Sequence, residues 1–253
     1  MPRSSKEKLG KSDRSWIKHG MAGKVVGGQV AAFRYRFPEA KIILIDGNAG
    51  DGSGVELQQL DLLEGVQISK PTPRMLDELA KRHDCTLCLC EAKRMKRQLL
   101  KEQFPEAIIV ATHSEAASLA IRGNYDYALW LSDPCGYAGH GVEHMRRLTM
   151  PVVRKVQRIM RSDFVIIFNE HAVKRVIGAS HSVYWQPHQK YAPMLDPQWW
   201  LQQLSKRYLA RTPIINQSSG FHFRLLVASD FLSDGVKRLH KVEIIPAQMR
   251  DAG

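Results

Sequence analysis

No stretch of this 253-residue chain approaches eighteen consecutive apolar residues, which excludes a membrane-spanning helix. The first fifteen positions, Met1 to Ser15, are basic and polar and lack the apolar centre of a signal peptide. Cysteine is scarce: Cys85, Cys88, Cys90 and Cys135 are too few and too clustered to staple a chain of this length, which suits a reducing compartment. These absences together predict a soluble, cytoplasmic protein with no membrane partner. Acidic residues are also short, 25 against 37 Lys+Arg, leaving a net charge of +12. Such an excess attracts polyanions by steering and counterion release, so nucleic acid is the first partner to test, against the plainer reading of a surface that keeps the protein in solution.

What is present is enough to fold. At 44% hydrophobic and 25% charged residues, disorder is excluded as the dominant state. Residues 1–14 carry seven charges, mostly of one sign, with no apolar period, and read as a flexible basic arm. The rest, 15–253, reads as a single domain without repeats or low-complexity tracts. A helix is predicted from Trp16 to Phe37, ended by Pro38 and weakened by Gly20, Gly23, Gly27 and Gly28.

Five short aliphatic runs follow: Lys41–Asp46, Thr86–Glu91, Ala107–Ala111, Tyr127–Asp133 and Asp163–Phe168. Unbroken apolar runs of this length mark strands buried on both faces of a parallel sheet. Helical segments lie between them at about 73–83, 92–103, 114–122 and 141–161. This alternation predicts an α/β fold with right-handed crossovers and a sheet covered on both sides. Ile214–Asn216 and Phe221–Ala228, separated by Gln217-Ser-Ser-Gly220, predict a C-terminal antiparallel pair, seven strands in all.

Chemistry concentrates where these strands end. The first runs into Asp46-Gly47-Asn48-Ala49-Gly50-Asp51-Gly52, then Ser53 and Gly54. Glycines at a strand-to-helix turn let the chain double back and let a ligand approach main-chain N–H groups. A phosphate-binding P-loop needs a lysine after the last glycine, and Gly52-Ser53 has none. A nicotinamide site prefers the glycines to run straight into a helix, whereas a polar stretch from Ser53 to Pro73 intervenes. The second strand ends at Glu91, a carboxylate placed to accept two ribose hydroxyls across the crevice. Asp46 beside the ligand disfavours pyrophosphate and favours a cation. An adenosine carrying a sulfonium and an amino acid fits these constraints. The fourth strand ends in Asp133-Pro134-Cys135-Gly136-Tyr137. There proline fixes the backbone, the carbonyls of Asp133 and Pro134 present lone pairs to an incoming amine, and Tyr137 is available to stack on an extruded base.

With these residues in view, the chain resembles the class I S-adenosylmethionine-dependent methyltransferases, and within them the three-Cys-motif partner family. The likeness covers roughly residues 15–178. It rests on Lys18-His19 before the first strand, the turn from Asp46 to Gly52, and the Asp-Pro-x-Gly closing the fourth. The resemblance implies a Rossmann-like sheet and S-adenosyl-L-methionine as cofactor. It also implies that Asp46, Ala49, Gly50 and Gly52 line the methionine end, Glu91 takes the ribose, and Asp133 with Pro134 face the methyl acceptor. One departure bears on the acceptor: amino methyltransferases of nucleic acids carry Asp/Asn-Pro-Pro-Tyr/Phe here, whereas this chain has Cys135-Gly136 before Tyr137.

Cys85, Cys88 and Cys90 do not share one strand face, which argues against a metal site. Cys135 as a nucleophile for carbon-5 methylation is a minority alternative. His140, His144, His171, His181 and His188 show no metal-binding spacing. Lys93, Arg94, Lys96, Arg97 and Lys101 in 92–103, and Arg146, Arg147, Arg154, Lys155, Arg158 and Arg161 in 141–161, are candidate phosphate contacts. In the second helix the apolar set Val142, Met145, Leu148, Val152, Val156 and Ile159 keeps to the other face. The segment Tyr184–Tyr191 through Trp199-Trp200, an insertion near 181–200, either shapes an acceptor pocket or caps the sheet. The sequence therefore predicts methyl transfer to a nucleic-acid base, an exocyclic amine of DNA or RNA. The alternative is a non-catalytic or partner-dependent binding module on the same fold.

Overall fold

The computed structural model describes residues 16–50, 57–61, 65–69, 72–133, 150–170, 173–174, 177, 186–216 and 222–248. Helix α1 (Trp16–Arg36) precedes β1 (Ile42–Asp46). A two-stranded antiparallel hairpin, β2 (Leu57–Asp61) with β3 (Gly65–Ser69), leads to α2 (Thr72–His83) and β4 (Thr86–Cys90). Then come α3 (Arg94–Gln103), β5 (Ile108–Val110), α4 (His113–Arg122), β6 (Tyr127–Ser132), α5 (Met150–Gln157) and β7 (Arg161–Phe168). A 3-10 segment (Gln186–Leu195) and α6 (Pro197–Leu204) separate these from β8 (Tyr208–Arg211), β9 (Ile215–Asn216), β10 (His222–Ser229), α7 (Asp234–Lys237) and β11 (Glu243–Pro246).

One mixed sheet runs in the order β11-β8-β10-β7-β6-β1-β4-β5, with β9 paired to β10 beside this path. Strands β5, β4, β1, β6 and β7 are mutually parallel, and β10, β8 and β11 add antiparallel. The aliphatic runs are continuous because both faces are covered. Leu44, Leu87, Leu89, Leu129 and Leu131 enter one buried cluster with Val25, Val26, Leu76 and Val236 from α1, α2 and α7. Their alternate neighbours Ile43, Ile45, Cys88, Ala128 and Trp130 enter another with Ala116, Val153 and Leu201 from α4, α5 and α6. Each such side chain contributes about 1.5–3 kcal/mol of burial, which makes these central strands the most strongly specified part of the chain.

The sequence expectations need three corrections. The sheet has eight strands in continuous order and β9 beside them, where seven were expected. Strands β8 and β11 were missed: Tyr208 is exposed and β11 is an edge strand with an exposed Ile244, so neither carries the long apolar run of a central strand. The polar stretch after the glycine turn contains the β2–β3 hairpin. Among the described residues, no helix is long and apolar enough to cross a membrane.

Candidate functional site

The sheet reverses its winding at β1, since β4 and β5 lie on one side and β6 and β7 on the other. The loops leaving β1, β4 and β6 therefore open a crevice at the carboxyl edge, where open α/β sheets take ligands. The turn after β1 is fastened to the elements around that crevice. Gly47 donates its N–H to the Leu131 carbonyl at 2.8 Å, and its carbonyl accepts from His113 Nε2 at 2.6 Å, which fixes the proton on that nitrogen. Ala49 N–H donates to the Cys90 carbonyl at 3.1 Å. Asn48 N–H donates to Asp46 Oδ1 at 2.9 Å, and Ser132 Oγ donates to Asn48 Oδ1 at 3.1 Å. Strands β4 and β6 and helix α4 thus hold one five-residue turn from three directions.

Two glycines in it serve different ends. A Cβ on Gly47 would lie 2.8 Å from Trp130 Nε1 and 3.3 Å from the Leu131 carbonyl, so this position is glycine because the turn packs against the indole. Gly50 has φ +68°, and an added Cβ would meet no atom of the described residues within 4 Å. Its backbone is left-handed, a conformation that glycine adopts without the strain a side chain would bring. Asp46 is buried at the base of the turn and shapes it through Asn48.

Glu91 leaves β4 half-buried beside this turn. Its N–H donates to the Val110 carbonyl at 3.1 Å and its Oε1 accepts from Lys93 N–H at 2.7 Å, which orients the carboxylate, while Oε2 accepts from no described residue. Arg97 Nη1 caps the carbonyls of Glu91 at 3.0 Å and Ala92 at 2.5 Å. A nucleoside-type group fits this donor set: left-handed glycine backbone on one side and an oriented carboxylate oxygen on the other. Asp133 leaves β6 half-buried on the same edge. Gly52, Pro134, Cys135 and Tyr137 lie outside the described residues, as do Lys18 and His19 as side chains and His140, His144, His171 and His181. The structure thus brings Asp46, Gly47, Asn48, Ala49, Gly50, Glu91 and Asp133 to one edge.

Two contributors were missed in the sequence, His113 and Trp130. The signal for His113 is Thr112-His-Ser-Glu115, a helix start directly after a strand: Thr112 Oγ1 accepts from Glu115 N–H at 3.1 Å. This start delivers the imidazole to the Gly47 carbonyl, and the ring also meets Trp130 edge-on at 5.7 Å between centroids. Further along the edge, Glu170 is buried between Arg224 of β10 and Lys174, the latter at 2.6 Å.

Other candidates are placed elsewhere. Cys88 and Cys90 are buried in one core cluster and Cys85 packs against the other. Burial pushes the Cys85 thiol up to about 11, and contact with Cys88 followed by burial raises Cys90, so both are thiols at neutral pH. Trp200 is core: its Nε1 donates to the Met194 carbonyl at 2.8 Å and its ring meets Phe168 edge-on. Of the two readings of the aromatic segment, Trp200 takes the sheet-capping one. Helix α5 runs antiparallel to the parallel strands, so Arg154, Lys155, Arg158 and Arg161 approach the opposite, amino edge of the sheet, away from Asp133. Ile159, expected on the apolar face, is exposed.

No family model and no curated protein sequence matches the chain. Among solved structures, protein LPL1258 from Legionella pneumophila, described under the family model DUF519, is 11% identical over 92% of this chain and 96% of its own, with a TM-score of 0.56. The two share a fold over nearly their whole lengths. The plantazolicin methyltransferase BpumL, solved in complex with SAH, is 10% identical over 91% of this chain and 92% of its own, at a TM-score of 0.45. The METTL16 MTase domain is 10% identical over 80% of this chain and 66% of its own, at 0.44.

Proposed function

We propose that this protein is a class I methyltransferase that moves the methyl group of S-adenosylmethionine to a nucleic-acid base, at an exocyclic amine of DNA or RNA. The observation that carries this reading is the turn after β1, held by β4, β6 and α4 at the point of strand reversal, with left-handed Gly50 in it and the Glu91 carboxylate beside it. In this reading Gly50 and Ala49 receive the methionine end and Glu91 the ribose. Asp133 and the carbonyl of Pro134 turn the lone pair of the acceptor amine toward the methyl carbon. The nitrogen then bonds to that carbon, the carbon–sulfur bond breaks with its electrons to sulfur, and the extra amine proton passes to Asp133 or solvent. Tyr137 stacks on the extruded base. Rate comes from holding acceptor and methyl in line, which is worth several kcal/mol without any group needing an unusual pKa.

The charge around the crevice supports a polyanionic acceptor. Helix α3 begins at this edge with Lys93, Arg94, Lys96 and Arg97 and no acid in its first turn, the end at which the helix dipole disfavours cations. A phosphate backbone passing there relieves that repulsion.

The test is a calorimetric titration with S-adenosylhomocysteine, then transfer of tritiated methyl to DNA, RNA and protein pools with nuclease controls. We expect a binding heat and label that nuclease removes. Absence of heat sinks the cofactor reading; heat with label in the protein pool alone sinks the acceptor. Glu91→Ala should weaken S-adenosylhomocysteine by about 10–30-fold, the loss of a charge-assisted hydrogen-bond pair. Glu91→Gln should be milder, and an unchanged affinity in both would remove Glu91 from the site.

A further inference from the structure

The amino edge of the sheet, opposite the crevice, carries features that the reading above does not use. A cleft of about 740 Å³ opens there between the end of α1 and the start of β7, and its lining includes Phe33, Phe37, Tyr125, Ile159, Arg36 and Arg161. Two lining groups are exposed, Ile159 at 58% and Phe37 at 40%, and Tyr35, 88% exposed, stands next to the lining residue Arg36 in the chain and outside the lining itself. Burial explains none of these three.

The cations there differ from one another. Arg34 is structural, bonding the carbonyls of Pro38, Ala40, His83 and Asp84 at 2.6–2.9 Å. Arg36 and Arg161 instead rest over ring faces, Arg36 at 5.3 Å from the Phe231 centroid and Arg161 at 4.8 Å from that of Phe37. Neither forms an ion pair with a described acid. Stacking fixes the guanidinium plane and leaves its N–H edge for an anion. Residues 30–41 and 150–161 together hold seven cations and one acid, Glu39, a net +6 of the chain's +12. Asp126, the other acid of the cleft, accepts from the Lys41 N–H at 2.8 Å.

We propose that this cleft and its rim form a second binding surface, which takes an unpaired strand of nucleic acid with phosphates on Arg36 and Arg161 of the lining and on Arg158 beside it, and a base against Tyr35 at the rim. The inference rests on the nucleic-acid part of the proposed function and extends it to a face about 20 Å away, the length of a six-residue strand such as β6. An exposed ring beside oriented arginines is the chemistry that single strands require: every base has a face to stack, and every nucleotide a phosphate. An acidic protein surface would use the cations and leave Tyr35 idle. The arrangement also gives the basic end of α5 a partner that its distance from Asp133 denies it at the crevice.

The experiment is fluorescence anisotropy of labelled twelve-nucleotide single-stranded RNA and DNA on the full chain, across a salt series. Wild type is compared with Tyr35→Ala and with the double variant Arg36→Ala/Arg161→Ala. We expect Tyr35→Ala to weaken binding by at least about 5-fold. The double variant should weaken it further and lower the salt slope by about 1.4, two phosphate contacts at single-strand weight. S-adenosylhomocysteine affinity should stay at the wild-type value in both variants, because all three residues are exposed and distant from the crevice. Tyr35→Ala should also melt with wild type, while the double variant, which loses two ring contacts, should melt a few degrees lower. Unchanged oligonucleotide affinity in both variants overturns the proposal. So does an equal loss toward heparin with Tyr35→Ala inert, which would make the face a general polyanion surface. If wild type binds no S-adenosylhomocysteine but the variants still lose oligonucleotide, the methyl-transfer reading fails and the second surface stands.

Discussion

Replacing Gly47 with alanine is expected to destabilise the protein by about 2–3 kcal/mol and to abolish measurable S-adenosylhomocysteine binding, whereas the same change three residues on should do neither to that degree. The added methyl would sit 2.8 Å from Trp130 Nε1 and 3.3 Å from the Leu131 carbonyl. The indole is fully buried and packed among Ile43, Phe164 and the α4 alanines, so it has no open side toward which to move. The backbone must yield, and the bonds from Gly47 to Leu131 and His113 stretch with it. In a chain of this size that loss corresponds to a fall in melting temperature of about 4–12 °C. Gly50→Ala meets no described atom within 4 Å and suffers the left-handed backbone penalty, about 1–2 kcal/mol. In the proposed site its methyl would stand at the methionine end of the cofactor, so affinity should fall more than stability. Thermal melting and calorimetry on both variants check this ordering. If Gly47→Ala melts with wild type, the turn is not wedged as described, and the site loses its anchor.

That wedge was invisible in the sequence, and the reason is physical. Asp46 to Gly52 read as a ligand turn because glycines after an aliphatic run are a local signal. The partners that lock the turn, Trp130 and His113, come from β6 and α4, 83 and 66 residues from Gly47. The central strands were legible for a related reason: burial on both faces makes each residue of Ile42–Ile45 apolar, leaving no competing period. Where one face is exposed the signal thins. Glu243–Pro246 pairs only with β8 and shows no alternation, and Leu57–Asp61 carries two glutamines in five residues. Helix α5 shows a subtler limit. Its period placed Val156 inside and Arg158 outside but missed Ile159, which is exposed, and a period says nothing about which end of the helix meets which edge of the sheet. Only the antiparallel return into β7 sends Arg158 and Arg161 to the amino edge, which turned an expected contact with the reacting strand into a second surface.

Stability is expected to fall as pH rises from about 4 to 6 through one buried carboxyl, Asp163, and to stop doing so when that residue becomes asparagine. Asp163 lies wholly buried at the amino edge, tying three elements to β7. Its Oδ2 accepts from Tyr127 Oη at 2.6 Å and from Gln29 Nε2 at 2.7 Å, and its Oδ1 meets Ser229 Oγ at 2.6 Å. Burial pushes its pKa up to about 6; the bonds from Ser229 and Tyr127, the charge of Lys206 and the bond from Gln29 pull the other way and lose. A folded pKa of about 6 against about 4 unfolded means that the folded state holds the proton between these values while the unfolded state has released it. The contribution is therefore complete below pH 4 and lost by the time pH passes 6, a change of about 3 kcal/mol.

The protonated geometry also predicts which substitution is tolerated. A carboxyl with its proton on Oδ1 donates to Ser229 Oγ, which passes its own hydrogen to the Phe231 carbonyl, while Oδ2 keeps both of its donors. Asparagine reproduces that pattern, with its amide nitrogen toward Ser229 and its oxygen toward Tyr127 and Gln29. Asp163→Asn should match wild type near pH 4.5 and exceed it at pH 7.5. Asp163→Ala removes the acceptor: the Tyr127 hydroxyl is left buried without one, and Gln29 Nε2 keeps only the Phe231 carbonyl at 3.1 Å and Ser229 Oγ at 3.4 Å. That variant should lose about 3–5 kcal/mol near pH 4.5 and about 3 kcal/mol less than that at pH 7.5, where wild type has itself given up the Asp163 contribution. Urea titrations of the three proteins at the two pH values read the difference directly. A wild-type stability that rises across this interval, with Asp163→Asn weaker at pH 7.5, would mean that the folded state holds Asp163 ionised and that the hydrogen bonds outweigh the burial.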